Sequence, residues 1–145
     1  MPVDEESALL EALNQEIAVY QAAELLPAQR ALADQDLALC SAALIAHTLQ
    51  RHDRGAAAVR IDEDCDPDER FASAVVSAEG AERDLTDAES DDLGALACNL
   101  TDGNALAWRP LCGHVDDRRG VYYLQLDAAR QAGRELLARR AAPSA

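Results

Sequence analysis

Apolar positions recur at steps of three and four residues along much of the chain, which is the spacing of one face of a helix. The pattern predicts four helices, over residues 4–26, 28–52, 86–100 and 128–140. Thr86 followed by Glu89 is a capping-box pair, which marks the start of the third helix. Pro27 indicates either the first position of a separate second helix or a kink in one long helix.

Shorter segments show the alternation of a strand and predict a sheet, over residues 56–61, 70–77, 105–111 and 121–126. In the second strand, Phe71, Ser73 and Val75 are expected to share one face. Residues 112–120 are expected to form a loop. The resulting fold class is α+β: two N-terminal helices, then β-β-α-β-β-α, with an antiparallel sheet covered by helices on one face.

The length of 145 residues fits a single domain, 1–145. Within it we expect a helical N-terminal part over 4–55, an α+β part over 56–140 and a frayed tail over 141–145.

The second helix is apolar nearly all round between Leu37 and Leu49. Such a helix is buried on more than one side, either because the rest of the domain wraps it or because a second copy packs on it. We therefore expect a homodimer, with partner contacts from this helix and from the aromatic residues of the second hairpin. The predicted partner-binding residues are Leu37, Cys40, Leu44, Leu49, Trp108 and Tyr122.

Composition excludes several chemistries. All 13 basic residues are Arg, so the chain has no lysine for a Schiff base, for pyridoxal phosphate or for a P-loop. Alanine is the commonest residue and aromatic residues are only 3% of the chain, so the core is expected to consist mainly of Leu and Ala. The Arg-only, Ala-rich composition is typical of a bacterial-like source with a high GC content.

The net charge is −14, and the segment 62–92 holds 13 of the 27 acidic residues. This charge repels nucleic acid and anionic membranes and favours an unidentified basic protein surface as partner. The same acidic block gives an alternative function, a nucleic-acid-mimicking inhibitor of a DNA-binding protein. Acidic surfaces that merely keep a protein soluble are the simpler explanation.

An acidic loop carries Asp62, Asp64, Asp66 and Asp68 in alternation. The spacing is similar to the start of a calcium loop, and these four are the weak metal candidates. The pattern fails at its sixth position, which is Pro67 rather than Gly, and at its twelfth, which is Ser73 rather than Glu. A solvated loop is the favoured interpretation, and no metal or other cofactor is expected.

Cys112 and His114 are the weak catalytic candidates, because a cysteine beside a histidine is a nucleophile–base combination. They support a third function, a small enzyme or ligand-binding domain that uses this loop. His47 and His52 are five residues apart, outside the usual zinc spacing, and no two cysteines lie close in sequence.

The first residues are acidic where a signal peptide is basic, and the longest uncharged run has 13 residues, too few to span a bilayer. Four cysteines in such a chain are expected to be reduced, which favours the cytoplasm. The leading expectation is a small acidic cytosolic protein that acts by protein–protein interaction and performs no catalysis.

Overall fold

The computed structural model describes residues 4–21, 26–63, 70–116 and 120–141, without the side chains of residues 20 and 114–116. The elements in chain order are α1 (Glu5–Gln21), α2 (Pro27–His52), β1 (Ala56–Glu63), β2 (Arg70–Ser77), β3 (Glu82–Asp84), α3 (Asp87–Ala97), α4 (Ala105–Trp108), a 3-10 turn (Arg109–Leu111), β4 (Cys112–Asp116), β5 (Val121–Gln125) and α5 (Leu126–Ala141). The described strands form one antiparallel sheet in the order β3-β2-β1-β5-β4, with helices packed on one face. The predicted α+β class is confirmed.

The first two helices are separate. Leu26 has the extended backbone of a residue that precedes proline, and Pro27 takes the first position of α2, where its missing N–H costs nothing. The described part of α1 extends from Glu5 to Gln21, and residues 22–25, where the prediction continues the helix, lie outside the described part of the chain. Of the two interpretations of Pro27, the start of a second helix is the one observed.

Helix α2 is buried on two sides by its own chain. One side packs with the sheet, α3 and α5, and consists of Ala38, Ala42, Ile45, Ala46 and Leu49. Leu37, Leu44 and their neighbours pack with α1 and Leu136 of α5. Intramolecular contacts therefore explain why this helix is apolar nearly all round. None of the helices in the described part of the chain combines the length and apolar character needed to cross a membrane.

Residues 105–111, predicted to form a strand, form α4 and the 3-10 turn instead. The prediction is wrong because Asn104 organises the segment: its buried side-chain oxygen accepts hydrogen bonds from the backbone N of Thr101 at 2.8 Å and from Nε1 of Trp108 at 3.0 Å. Side chains four residues apart are neighbours on a helix, whereas an extended strand separates them.

The edge strand β4 lies where the sequence predicts a loop over 112–120, so this prediction is also corrected. The short strand β3 was not predicted, because three residues are too few to show an alternating pattern. Both strands pair at the sheet edges, where neighbouring strands rather than local sequence decide that they form.

A bulge in β2 changes which residues face the helices. Arg60 pairs with Ala74 but Ile61 pairs with Ala72, so Ser73 is the extra residue between them. The alternation therefore shifts by one, and Phe71 is 44% exposed instead of sharing the inward face of Val75. The prediction of one face for Phe71, Ser73 and Val75 is wrong for this reason.

Candidate functional site

The residues predicted to bind a partner lie inside the protein. All six are at most 8% exposed: Leu37, Cys40, Leu44, Leu49, Trp108 and Tyr122. Two explanations were offered for the apolar second helix, and the structure shows the first: other segments of the same chain pack around it. A contact through these side chains would require the fold to open. The homodimer itself stays a prediction.

Trp108 and Tyr122 form a buried cluster around an arginine. Their rings meet edge to face with centroids 4.9 Å apart. The guanidinium of Arg70 lies 5.0 Å from the Trp108 ring and 5.4 Å from the Tyr122 ring, and its side chain is fully buried. Its Nη2 donates to the carboxylates of Glu63, at 2.8 Å, and Asp102. Because the cation is enclosed and paired with carboxylates, the cluster joins β2 to the segment after α3 rather than offering a cation to a ligand.

Cys112 is a poor nucleophile in this fold. Burial raises the pKa of its thiol to about 12, so the reactive thiolate is scarce near neutral pH. Its Sγ lies 3.7 Å from the carbonyl oxygen of Trp108. Residue 112 pairs with Leu124 and residue 114 with Tyr123, because the register shifts at Gly113. The side chain of His114 lies outside the described part, so the structure gives no support to a nucleophile–base pair.

The acidic loop is only partly described. The carboxylate of Asp62 accepts a hydrogen bond from Nε of Arg60 at 2.9 Å. Asp64, Asp66 and Asp68 lie outside the described residues. Among the residues that the structure does describe, no group of three or more His, Cys, Asp or Glu side chains is placed to hold a metal ion.

The described carboxylates of the wider acidic block, 62–92, lie on different elements. Glu63 of β1 pairs with buried Arg70, whereas Glu89 lies on α3 and pairs with Arg83 at 2.8 Å. Oδ2 of Asp92, also on α3, lies 3.3 Å from Nε2 of His52 at the end of α2. Among the described residues, the carboxylates of the block are thus divided between sheet and helix, and Glu63 and Glu89 are paired with arginines of the chain.

The face of the sheet opposite the helices carries side chains in two rows across the strands. One row consists of Gln125, Ala58, Val76 and Glu82, and the next of Tyr123, Arg60, Ala74 and Asp84. Ala58 and Val76 lie at the centre of the first row, on β1 and β2, and Arg60 and Ala74 lie at the centre of the second. Polar residues lie at the ends of both rows, on β3 and β5. This arrangement leaves a depression between polar borders.

A groove of about 870 Å³ occupies one end of this face. Its described lining is Ala57, Ala58, Val76, Ser77, Ala78, Gly80, Glu82, Gly113, Tyr123 and Gln125. A Cβ at Gly113 would lie 2.8 Å from Nε2 of Gln125, so a larger residue there would displace this side chain of the lining. Glu82 supplies the charge in the described lining, and the rest is small, apolar or neutral.

Tyr123 and Glu82 interact across the same face. A hydrogen bond to the Glu82 carboxylate is the main reason that the pKa of Tyr123 is raised, since it stabilises the protonated phenol. Tyr122, the next residue, is 1% exposed and belongs to the core, as strand alternation requires. The adjacent pair Tyr122-Tyr123 in a strand by itself implies that one of the two tyrosines lies on the face away from the helices, and the structure shows that this one is Tyr123.

A second, smaller groove of about 280 Å³ lies between α1 and α2. Its acidic residues are Glu16, which pairs with Arg140, and Asp36, whose Oδ1 lies 3.9 Å from Arg139. Burial raises the pKa of Asp36, against the lowering effect of the two arginines. The two carboxylates of this smaller groove are already compensated by arginines of the chain, so the groove on the sheet is the stronger candidate for binding.

Sequence reasoning did not identify Glu82, Gln125 or Gly113 as site residues. The pair Tyr122-Tyr123 was the available signal, because adjacent strand residues face opposite ways. The rest depends on the strand order: β3 and β5 are adjacent neither in sequence nor in the sheet, and only the register across β2 and β1 aligns Glu82 with Gln125.

Comparison with known proteins finds no matching family model, no matching curated protein and no matching solved structure.

Proposed function

We propose that this chain is a non-catalytic binding protein that docks a basic segment of a partner protein on the open face of its sheet. The supporting observation is the groove of about 870 Å³, which has an apolar floor and the carboxylate of Glu82 at its border. Large concave surfaces with few polar groups are the usual form of binding sites. We place the protein in the cytoplasm, consistent with its free thiols at Cys40, Cys98 and Cys112.

Charge complementarity selects the partner. The chain carries a net charge of −14, so its field attracts a basic surface and increases the rate of encounter at low salt. On the open face Asp84 adds to Glu82, whereas the cation Arg60 is held by Asp62 at 2.9 Å. A second copy would bring an equal negative charge to this face, so a basic partner is favoured over self-association there.

The test is an amide NMR titration of the isotope-labelled protein with the peptide acetyl-Arg-Val-Arg-Val-Arg-Val-amide. We expect changes in amide chemical shift that are confined to the lining of the groove and are largest at Ala58, Val76, Ser77 and Gln125. Affinity should fall by about an order of magnitude between 20 and 150 mM NaCl, since the Debye length shortens over this range. The same peptide with Glu in place of Arg is the charge-reversed control and should cause no shifts.

Two variants locate the site. Ala78→Trp adds bulk to an exposed lining residue and should weaken peptide binding. Leu106→Trp makes a similar change on the helical side, at a residue that is 83% exposed, and should leave binding unchanged. Equal effects of the two variants, or shifts confined to the helices, would overturn the proposal. So would a native mass of a dimer that the Ala78→Trp variant converts to a monomer, because a second copy would then occupy the face.

A further inference from the structure

We propose that Glu82 and Tyr123 bind one guanidinium or ammonium group of the partner, so that an Arg or Lys side chain is what the groove recognises. This inference rests on the function proposed above and specifies which chemical group of the partner the groove recognises. Its basis is the juxtaposition, in one groove, of an exposed carboxylate, a half-buried aromatic ring and a floor of small side chains.

The carboxylate of Glu82 retains capacity for a cation. Its described partner is the hydroxyl of Tyr123, a neutral donor that uses one of about four acceptor positions on the two oxygens. An incoming guanidinium can therefore bind the remaining positions, and charge-assisted hydrogen bonds of this kind are stronger than neutral ones.

The ring of Tyr123 supplies the second contact. A cation within about 6 Å of an aromatic ring is attracted by the negative face of that ring. Because its hydroxyl interacts with Glu82, the ring is held beside the carboxylate instead of turning freely. One cation can then contact the carboxylate and the ring together.

The arginine that shares the open face with Glu82 is paired with another carboxylate. Arg60 lies on the same face and pairs in register with Tyr123, but its Nε donates to Asp62 at 2.9 Å. The pKa of Arg60 is raised mainly by that hydrogen bond, with Glu82 and Tyr123 as the weakest contributors. The charge of Asp62 thus compensates Arg60, and that of Glu82 is left for a ligand.

The floor suits the aliphatic part of a basic side chain. Ala58 and Val76 lie between Gln125 and Glu82 in one row, so a ligand lying along that row passes over apolar surface before it reaches the carboxylate. Arg and Lys bury their aliphatic stems in this manner while the charged end reaches a polar partner.

The experiment compares two peptides that differ in one charge. Acetyl-Gly-Val-Arg-Val-Gly-amide is titrated into the full chain beside the analogue in which citrulline replaces Arg. Citrulline has almost the same shape but is neutral. We expect the dissociation constant to be at least about tenfold weaker for the citrulline peptide, the loss of one charge-assisted contact.

Four variants separate local recognition from net charge. Glu82→Gln should weaken binding of the Arg peptide about tenfold and remove its advantage over the citrulline peptide. Glu79→Gln, which removes an equal charge in the turn before β3, should change affinity less than about twofold. Tyr123→Leu should weaken binding about fivefold, and Tyr123→Phe, which keeps the ring but loses the hydroxyl that holds it beside Glu82, by a smaller factor.

The possible outcomes distinguish a failure of cation recognition from a failure of the proposed function. If both peptides bind the groove equally well, the open face binds partners but cation recognition is wrong. If Glu79→Gln weakens binding as much as Glu82→Gln, the attraction is a general field and the local site is wrong. If neither peptide shifts any groove amide, the proposed function itself is contradicted.

Discussion

At the scale of single residues, the buried carboxylate of Glu89 both caps α3 and binds Arg83 of β3. Its carboxylate accepts a hydrogen bond from the backbone N of Thr86 at 2.9 Å, which completes the cap of α3. It also receives two hydrogen bonds from the guanidinium of Arg83, at 2.8 and 2.9 Å, although Glu89 is only 1% exposed. The bond to Arg83 is the main reason that the pKa of Glu89 is lowered to about 2.

We predict that Glu89→Gln lowers the free energy of unfolding by about 2 kcal/mol at pH 7. This is below the value that the pKa shift alone implies, because Arg83 is 39% exposed and solvent screens the pair. Glutamine can keep the cap of α3, so the loss measures the ion pair. Urea unfolding of both proteins gives the difference directly.

The pH dependence has a definite sign. A carboxyl whose pKa is lowered on folding stabilises the native state above its ordinary pKa of about 4.5, and that contribution is lost as the pH falls toward about 2. The stability difference between wild type and Glu89→Gln should therefore shrink from pH 5 to pH 2. Asp91→Asn, an exposed position on the same helix, is the control and should show little difference at any pH. A difference that stays constant with pH would contradict the ion-pair explanation.

Sequence indicated part of this role. The Thr86–Glu89 spacing predicted the capping box, which depends only on local geometry, and the structure confirms it. The bond with Arg83 was not predicted, because it depends on how β3 runs into α3.

At the scale of elements, α5 and α2 approach closely at Gly133. A Cβ at this position would lie 2.5 Å from Cβ of Ala43 and 3.3 Å from a methyl group of Leu9. This close approach is possible because α5 packs against α2 as well as against β1.

We predict that Gly133→Ala destabilises the protein by about 1–2 kcal/mol. Overpacking of this kind costs about 1–3 kcal/mol, because Ala43 is fixed to its own backbone and cannot move aside. The higher helix propensity of alanine offsets up to about 1 kcal/mol of this cost. Thermal and urea unfolding measure the balance.

The matched control is Gly94→Ala in α3. A Cβ at Gly94 meets no atom within 4 Å, so only the gain in helix propensity remains. We expect a stabilisation of about 0.5–1 kcal/mol. If both substitutions stabilise the protein, the close approach of α5 to α2 is incorrect.

The bulge at Ser73 shows why strict alternation along a strand can predict the wrong buried residues. Strict alternation along β2 would put Phe71 inside and Arg70 outside. One extra residue reverses both, and the buried guanidinium of Arg70 then lies between Trp108 and Tyr122. Nothing in the local sequence marks the bulge, because it depends on the pairing with β1 and on the contacts that Arg70 gains inside.

At the scale of the whole molecule, charge repulsion outweighs attraction. The chain has 27 acidic and 13 basic residues, so the compact state holds many like charges close together. Salt screens this repulsion, and it also weakens the surface ion pairs. Exposed pairs contribute little, so relief of the net repulsion should dominate.

We predict that the thermal midpoint at pH 7 rises by about 3–5 °C between 10 and 150 mM NaCl, over which the Debye length falls from about 30 to about 8 Å. The control is the same series near pH 4.4, the isoelectric point, where the net charge vanishes. There the midpoint should change little. A midpoint that falls with salt at pH 7 would show that attractive pairs dominate.

The amino-acid sequence by itself determined the fold class, the helices α1, α2, α3 and α5, and the strands β1, β2 and β5, because helical and strand periods and caps are local properties. The tertiary structure decided the rest. It turned 105–111 into a helix through Asn104 and Trp108, wrapped α2 with its own chain, and assembled the open face from strands distant in sequence. These outcomes depend on register and on contacts between distant segments, and periodicity carries no information about either.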